Sequence, residues 1–121
     1  DAIRSGATHV SEDEKDLNKV FIDLEFFEAF TKGFLEGTAN SLTEKEIELL
    51  PMAVKIITLE QGIRFLTDYL NGDVYYKTNY NDQNLDRTRT QLKLVKDIEE
   101  KLNEMKNIVN KCLSNNIVEV W

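Results

Sequence analysis

The sequence predicts an all-α protein folded as a helical bundle. Its 121 residues include one proline and five glycines, which leaves long stretches of the chain free to form helices. Apolar residues make up 41% of the chain and charged residues 31%, the composition of a folded globular protein. Apolar residues also recur at three- and four-residue steps in several segments. A chain of this length fits one domain, residues 1–121.

The N-terminal segment is predicted to be a surface loop. Residues 5–20 have no sustained apolar period, and their densest charge run is the acidic stretch at residues 12–14. We interpret this run as a solvated connection rather than as an acidic docking patch or a metal site, since charge runs usually face water.

The first long helix is predicted to begin after Asp23, a residue type that caps helices. Its apolar residues recur at helical spacing: Leu24, Phe27, Phe30 and Phe34. Gly37 is predicted to lie just past the end of this helix and to terminate it in the left-handed αL conformation. We interpret the phenylalanines between residues 26 and 34 as core.

A second helical region begins at Thr43 and Glu46, which have the spacing of a capping box. Pro51 predicts a bend near Leu50, because proline breaks a helix interior and is tolerated in the first turn of the next helix. The central helix follows over residues 52–70. Its apolar residues alternate steps of four and three, which predicts one buried stripe: Met52, Ile56, Leu59, Ile63, Leu66 and Leu70.

The rest of the chain is predicted to be a turn, a short excursion and one long helix. Asn71-Gly72 is a strong turn signal, and residues 74–77 form either a short strand or an extended loop. The last helix is predicted from Asp82 or Gln83 to Leu113. The apolar residues of this helix that share one face form a predicted seam: Leu92, Val95, Leu102, Met105, Val109 and Cys112. Near the C-terminus, Ile117, Val118, Val120 and Trp121 are expected to pack against the fold.

Charge and composition exclude several classes of function. A net charge of −7 argues against a nucleic-acid partner. A single cysteine, Cys112, forms no internal disulfide, and no apolar run is long enough to suggest a membrane span. We therefore expect a cytoplasmic protein. No glycine-rich phosphate loop or Cys/His metal spacing is present, and one histidine supports no Ser/His/Asp set.

Three polar residues of the central helix lie opposite its predicted buried stripe when each residue advances by about 100°. These residues are Gln61, Arg64 and Asp68. Arg64 and Asp68 are four residues apart, so an exposed ion pair explains them equally well. The alternative is a polyol pocket. There the Arg64 guanidinium donates to oxygens, and Tyr75 supplies an apolar ring face and a hydroxyl.

Four segments together resemble the C-terminal part of the aminoglycoside-phosphotransferase/choline-kinase-like family, in its N-acetylhexosamine 1-kinase-like branch. They are Asp1-Ala-Ile-Arg4, Gly33-Phe-Leu-Glu-Gly37, Glu48-Leu-Leu-Pro51 and the run from Arg64 to Tyr76. The resemblance covers roughly residues 1–105. Asp1 and Arg4 match the family's Gly-Asp-x-x-Arg segment, in which they resemble structural residues. The family's nucleotide lobe, catalytic aspartate and metal-binding aspartate all lie upstream of that segment.

The resemblance implies that the chain is the acceptor-binding helical subdomain of an ATP-dependent kinase and is inactive alone. ATP and Mg would bind upstream, and the chain itself would hold no catalytic residue. Arg64 and Tyr75 match residues that line the family's sugar site, and Asp68 is a weaker candidate. Choline, ethanolamine and homoserine remain alternative acceptors. The competing hypothesis is a non-enzymatic interaction module that pairs through the helix at residues 83–113. In either case we expect the chain to form a homodimer.

Overall fold

The computed structural model describes residues 2–38 and 42–120, with side chains placed as far as residue 115, and most of these residues are helical. Within these residues there is no strand, which confirms the predicted all-α bundle. The helices are α1 (Ala2–Gly6), α2 (Leu24–Thr38), α3 (Glu44–Glu48), α4 (Leu50–Leu70), α5 (Gln83–Glu100) and α6 (Leu102–Val120), with a 3₁₀ turn at Leu17–Lys19. Asp1 and the side chains of residues 116–121 lie outside this description, so the predictions for them stay predictions.

Local sequence signals set the helix starts as predicted. Asp23 Oδ1 accepts hydrogen bonds from the amides of Glu25, at 2.9 Å, and Phe26, at 3.2 Å, and so caps α2. Thr43 and Glu46 form the expected capping box, in which each side chain accepts from the other residue's amide. Pro51 lies in the first turn of α4, directly after the bend at Leu49. These three predictions are confirmed.

The predicted end of α2 is wrong. Gly37 lies inside the helix, which continues to Thr38, and its backbone does not adopt a positive φ. The prediction that the phenylalanines of α2 belong to the core is confirmed for Phe27, which is fully buried, and for Phe30, which packs against the core. Phe26 stays partly exposed at the surface.

The predicted buried stripe of the central helix is also wrong, because α4 turns that row of side chains outward. Ile56, Leu59, Ile63, Leu66 and Leu70 are all exposed. A different row is buried: Pro51, Val54, Thr58, Gly62, Phe65 and Asp68.

Small side chains on the buried row explain the reversal. α4 packs antiparallel against α5, and this is the most extensive helix pair in the molecule. A Cβ added at Gly62 would lie 3.3 Å from the Cβ of Gln91, a tight contact, so the missing side chain at Gly62 favours close approach of the two backbones. Thr58 is also small, and its hydroxyl donates to the carbonyl of Val54 at 2.8 Å. Close approach of the helices decides the buried face, although the opposite row is more apolar.

The last predicted helix is divided in two at Lys101, whose φ of −102° and ψ of 7° depart from helical values. The Lys101 side chain also forms an ion pair within the chain, in which its Nζ donates to Asp97 Oδ2 at 2.9 Å. No proline or glycine marks this position, so the sequence carries no signal for it. Most of the predicted seam is buried in the chain's own core, including Val95, Met105 and Val109, and is not available to a second copy. Cys112 is a core thiol as expected, and burial raises its pKa.

The segment of residues 11–19 is mostly exposed, as predicted for a surface loop, and a few side-chain contacts join the N-terminal part of the chain to the bundle. Arg4 is buried, and it donates to Gln91 Oε1 at 3.1 Å and to Glu12 Oε1 at 3.0 Å. Farther along, the Ile22 amide donates to Asp97 Oδ2 at 2.7 Å. These contacts fit a structural role for Arg4. They also show that Glu12, in the acidic run, binds the Arg4 side chain. Among the residues described, no helix combines the length and apolar character needed to cross a membrane.

Candidate functional site

An open cleft of about 460 Å³ lies at the C-terminal end of α4, within the size range of small-molecule sites. It is lined by Ile63, Arg64, Thr67, Asp68, Asn71, Tyr75 and Tyr76. The three residues that the sequence singled out as site candidates, Arg64, Asp68 and Tyr75, therefore line one cleft. Four others were not singled out. Ile63, Thr67 and Asn71 recur with Arg64 at helical spacing, a signal from which they are predictable.

The shape of the cleft depends on how α4 ends. The Asp73 amide donates to the carbonyl of Asp68 at 2.8 Å, and the Gly72 amide donates to that of Tyr69 at 3.2 Å. This pair of bonds is a Schellman motif. It places Gly72 at φ 94°, where glycine has no steric cost, and Asp73 at φ 62°, which aspartate tolerates better than most residues. The turn confirms the Asn71-Gly72 prediction, and residues 74–77 follow as an irregular loop.

Asp68 fixes this loop. Its Oδ1 accepts from the amides of Val74, at 3.0 Å, and Tyr75, at 2.7 Å, and its Oδ2 accepts from the amide of Tyr76 at 3.0 Å. A fourth bond reaches Oδ2 from Asn84 Nδ2 at 2.8 Å. Four donors thus occupy one carboxylate that is only 5% exposed. Asp68 is accordingly a positioning residue that sets where Tyr75 stands, and its carboxylate is already engaged within the protein.

The electrostatics of Asp68 follow from these bonds. Burial acts to raise its pKa, but the hydrogen bonds from Tyr76, Tyr75, Asn84 and Val74 together outweigh burial and hold the pKa below its ordinary value. The carboxylate therefore stays charged at neutral pH. The backbone amides that it binds need that charge, since they are donors with no other partner in the turn.

Asn84, at the start of α5, joins the loop to the rest of the bundle. It is fully buried, and its Nδ2 also donates to Asp73 Oδ1 at 3.0 Å. Its Oδ1 accepts from Arg87 Nη1 at 2.8 Å, and Arg87 Nη2 in turn donates to the carbonyl of Lys77 at 3.2 Å. Sequence reasoning missed this network, because nothing in the spacing connects residue 84 with residue 68.

Aromatic rings form one wall of the cleft. Tyr75 stands edge-on to Tyr76, with ring centroids 4.9 Å apart, and is 83% exposed. Tyr76 packs at 4.9 Å against Phe65, which is buried between α4 and α5. Gln61 Nε2 donates to the Tyr76 hydroxyl at 3.1 Å. The Tyr76 ring, backed by the buried Phe65, supports Tyr75 and leaves its face and hydroxyl open to a ligand.

Arg64 lies on the rim of the cleft. Its Nη2 lies 2.7 Å from Glu60 Oε1, and both side chains are more than half exposed. The alternative ion pair with Asp68 does not form, because Asp68 is turned inward to the loop. An exposed pair of this kind contributes at most about 0.5 kcal/mol, so a ligand can take over the guanidinium at little cost.

The side chains that line the cleft can recognise a small polar molecule. In the part of the chain with described side chains, no group of three or more His, Cys, Asp or Glu residues is arranged to hold a metal ion. The cleft provides an aromatic face, the apolar side chain of Ile63, hydroxyl and amide groups from Thr67 and Asn71, and one guanidinium. This combination suits a ring that carries both apolar faces and hydroxyl groups. No known protein-family model matches the chain.

Proposed function

We propose that the chain is the acceptor-binding helical subdomain of an ATP-dependent phosphotransferase that acts on a small alcohol, an N-acetylhexosamine phosphorylated at its anomeric hydroxyl. One observation carries the proposal. Arg64 and Tyr75, the residues that the family resemblance assigns to the sugar, line the same cleft although they are eleven positions apart in sequence.

Each side chain has a distinct part in the proposed binding mode. The Tyr75 ring packs against the apolar face of the sugar, and its hydroxyl exchanges hydrogen bonds with the sugar's hydroxyl groups. The Arg64 guanidinium donates to hydroxyl or acetamide oxygens and fixes the orientation of the ring. Thr67 and Asn71 add short polar contacts from the same helical face.

The charge of the cleft favours a neutral acceptor over a cationic one such as choline. Asp68 is the carboxylate that lines the cleft, and four donors from the protein already satisfy it. Arg64 presents positive charge at the rim. A quaternary ammonium would therefore find no unengaged carboxylate among the residues that line the cleft, since four donors bind Asp68, and Glu60 at the rim pairs with Arg64.

Phosphoryl transfer itself needs groups that we place outside this chain. Such reactions depend on a metal ion between the phosphates and on an aspartate that orients the acceptor hydroxyl. In the proposal a nucleotide-binding lobe supplies ATP, Mg and that aspartate, and the chain alone transfers no phosphate. The proposal also implies a cytoplasmic protein, since ATP is an intracellular substrate.

The test is the activity of a kinase that contains this chain. ATP-dependent phosphorylation of N-acetylglucosamine and N-acetylgalactosamine is measured for the unchanged enzyme and for Arg64→Ala. Loss of a charge-assisted hydrogen bond to the substrate predicts a fall in kcat/KM of roughly tenfold or more. Arg89→Ala is the matched control, because Arg89 is an equally exposed arginine paired with Asp86 and does not line the cleft. Equal kcat/KM values for the two variants would remove Arg64 from the site.

A further inference from the structure

The loop that follows α4 forms one wall of the cleft and is attached to the bundle at more than one place. We call residues 73–80 the cleft loop. Asp68 accepts from the amides of residues 74–76 and so fixes the first half of this loop. The second half, residues 77–80, is bonded to the start of α5. Because Tyr75 is 83% exposed, its position depends mainly on the backbone on either side of it.

Arg87 of α5 joins the two halves of the cleft loop. Its Nη2 donates to the carbonyl of Lys77 at 3.2 Å, and its Nη1 donates to Asn84 Oδ1 at 2.8 Å. Asn84 in turn donates to Asp68 Oδ2 and to Asp73 Oδ1. One guanidinium therefore connects the end of the first half to the network that holds its beginning, and it uses two nitrogens to do so.

Arg87 also supports the aromatic wall of the cleft. Its Cζ lies 5.5 Å from the centroid of the Phe65 ring, a distance at which a guanidinium is attracted to a ring face. Phe65 is 2% exposed and packs against Tyr76 with ring centroids 4.9 Å apart. The same side chain thus contacts the backbone beyond Tyr76 and the ring that lies behind it.

Gln83 holds the far end of the cleft loop independently of Arg87. Its Oε1 accepts from the amide of Asn79 at 2.6 Å, and its Nε2 donates to Asp13 Oδ2 at 3.2 Å. Gln83 is only 7% exposed. With this attachment intact, the loss of Arg87 should loosen residues 74–77 and leave the connection to α5 in place.

We propose that Arg87 is a positioning residue of the acceptor cleft, which holds Tyr75 in place through the two bonds of its guanidinium before a ligand arrives. Arg87 is not one of the seven residues that line the cleft, so it acts through the loop and not on the ligand. A site that is already ordered loses less conformational entropy on binding, and its apparent affinity is higher. The identity of the ligand rests on the proposed function, whereas the placement of Tyr75 does not.

Amide hydrogen exchange of the ligand-free chain, followed by NMR, tests the positioning role. In Arg87→Ala the amides of Val74, Tyr75 and Tyr76 should exchange about tenfold faster or more, because a charge-assisted bond that keeps the loop closed is lost. Amides of α2 and α6 should keep their rates. Unchanged rates at the three loop amides would overturn the proposal, and so would an equal acceleration at every amide, which indicates a general loss of stability.

Arg89→Ala is the matched control for this experiment. Arg89 lies on the same helix, is 59% exposed and pairs with Asp86 at 3.6 Å. Its loss should leave the exchange of the three loop amides unchanged. Acceleration as large as in Arg87→Ala would contradict a specific role for Arg87.

Arg87→Lys separates the shape of the guanidinium from its charge. A lysine keeps the positive charge but lacks two donor nitrogens held in one plane. Arg87→Lys should therefore exchange as fast as Arg87→Ala at the three loop amides. Protection equal to that of the unchanged chain would show that charge alone is sufficient, and the role assigned to the two guanidinium bonds would be wrong.

Titration with N-acetylglucosamine extends the test to binding. The dissociation constant of Arg87→Ala should be about threefold higher or more than that of the unchanged chain, because less of the variant has Tyr75 in place. Arg89→Ala should bind as the unchanged chain does. Equal dissociation constants for the two variants would overturn the role of Arg87 in binding. If the unchanged chain binds no sugar, the proposed function fails, while the exchange rates still decide whether Arg87 positions Tyr75.

Discussion

At the scale of single residues, the Asp68 carboxylate holds the loop that forms one side of the candidate site. The sequence places Asp68 on a helix face beside Arg64, where an exposed ion pair and a ligand contact are equally plausible. The structure turns it inward to accept from three consecutive backbone amides and from Asn84. No single-residue signal distinguishes these outcomes, because the donors come from a loop whose path is set only after α4 ends.

Replacing Asp68 with asparagine should lower the stability of the chain at neutral pH, because an NH₂ group would then face backbone N–H donors. The pKa of Asp68 is lowered in the folded state, so its contribution to stability is complete above the ordinary carboxyl pKa of about 4 and is lost as pH falls below it. The difference in unfolding free energy between the unchanged chain and Asp68→Asn should therefore shrink from pH 7 to pH values below about 4. Denaturant unfolding of both chains at several pH values measures this difference in unfolding free energy.

The control for this comparison is Glu104→Gln, which alters an exposed carboxyl on α6. It should change stability little at either pH. A difference for Asp68→Asn that stays constant or grows toward acid pH would show that the charge of Asp68 does not hold the loop.

At the scale of elements, local chemistry was predictable and the choice of buried face was not. The cap at Asp23, the capping box at Thr43 and the Asn71-Gly72 turn all depend on neighbouring residues and were read correctly. The buried face of α4 depends on how closely α5 can approach at Gly62, which is a property of two helices. A pattern that ranks residues by hydrophobicity alone selects the opposite face.

Two glycine substitutions should have opposite effects for this reason. Gly72→Ala should destabilise the chain by about 1 kcal/mol, because position 72 has a φ of 94° that alanine adopts poorly. Gly33→Ala should stabilise it by about 0.5–1 kcal/mol, because position 33 lies inside α2 with open space around an added Cβ. Thermal or denaturant unfolding of both variants measures the difference. A Gly72→Ala variant as stable as the unchanged chain, or more stable, would mean that α4 does not end in the left-handed turn.

At the scale of the whole molecule, polar contacts between distant segments supplement the apolar core that the helices share. Arg4 bonds to Gln91, Ile22 bonds to Asp97, and Asn84 joins α5 to the loop after α4. None of these pairs is visible in a periodic pattern, so the sequence predicted the helical class without predicting how the helices assemble. The division of the last helix at Lys101 escaped prediction for the same reason. The meeting of Arg64 and Tyr75 at one cleft was expected from the polyol-pocket hypothesis and from the family resemblance.

The most direct test of the account is an NMR titration of the isotope-labelled chain with N-acetylglucosamine. A cleft that holds part of an acceptor site predicts weak, millimolar binding, with shifts confined to the amides of residues 71–76 and the Arg64 side chain. Arg64→Ala should lose these shifts, and Arg89→Ala should keep them. Shifts that are absent at high sugar concentration, or that fall on α2 and α6 instead, would contradict the claim that this cleft binds the acceptor.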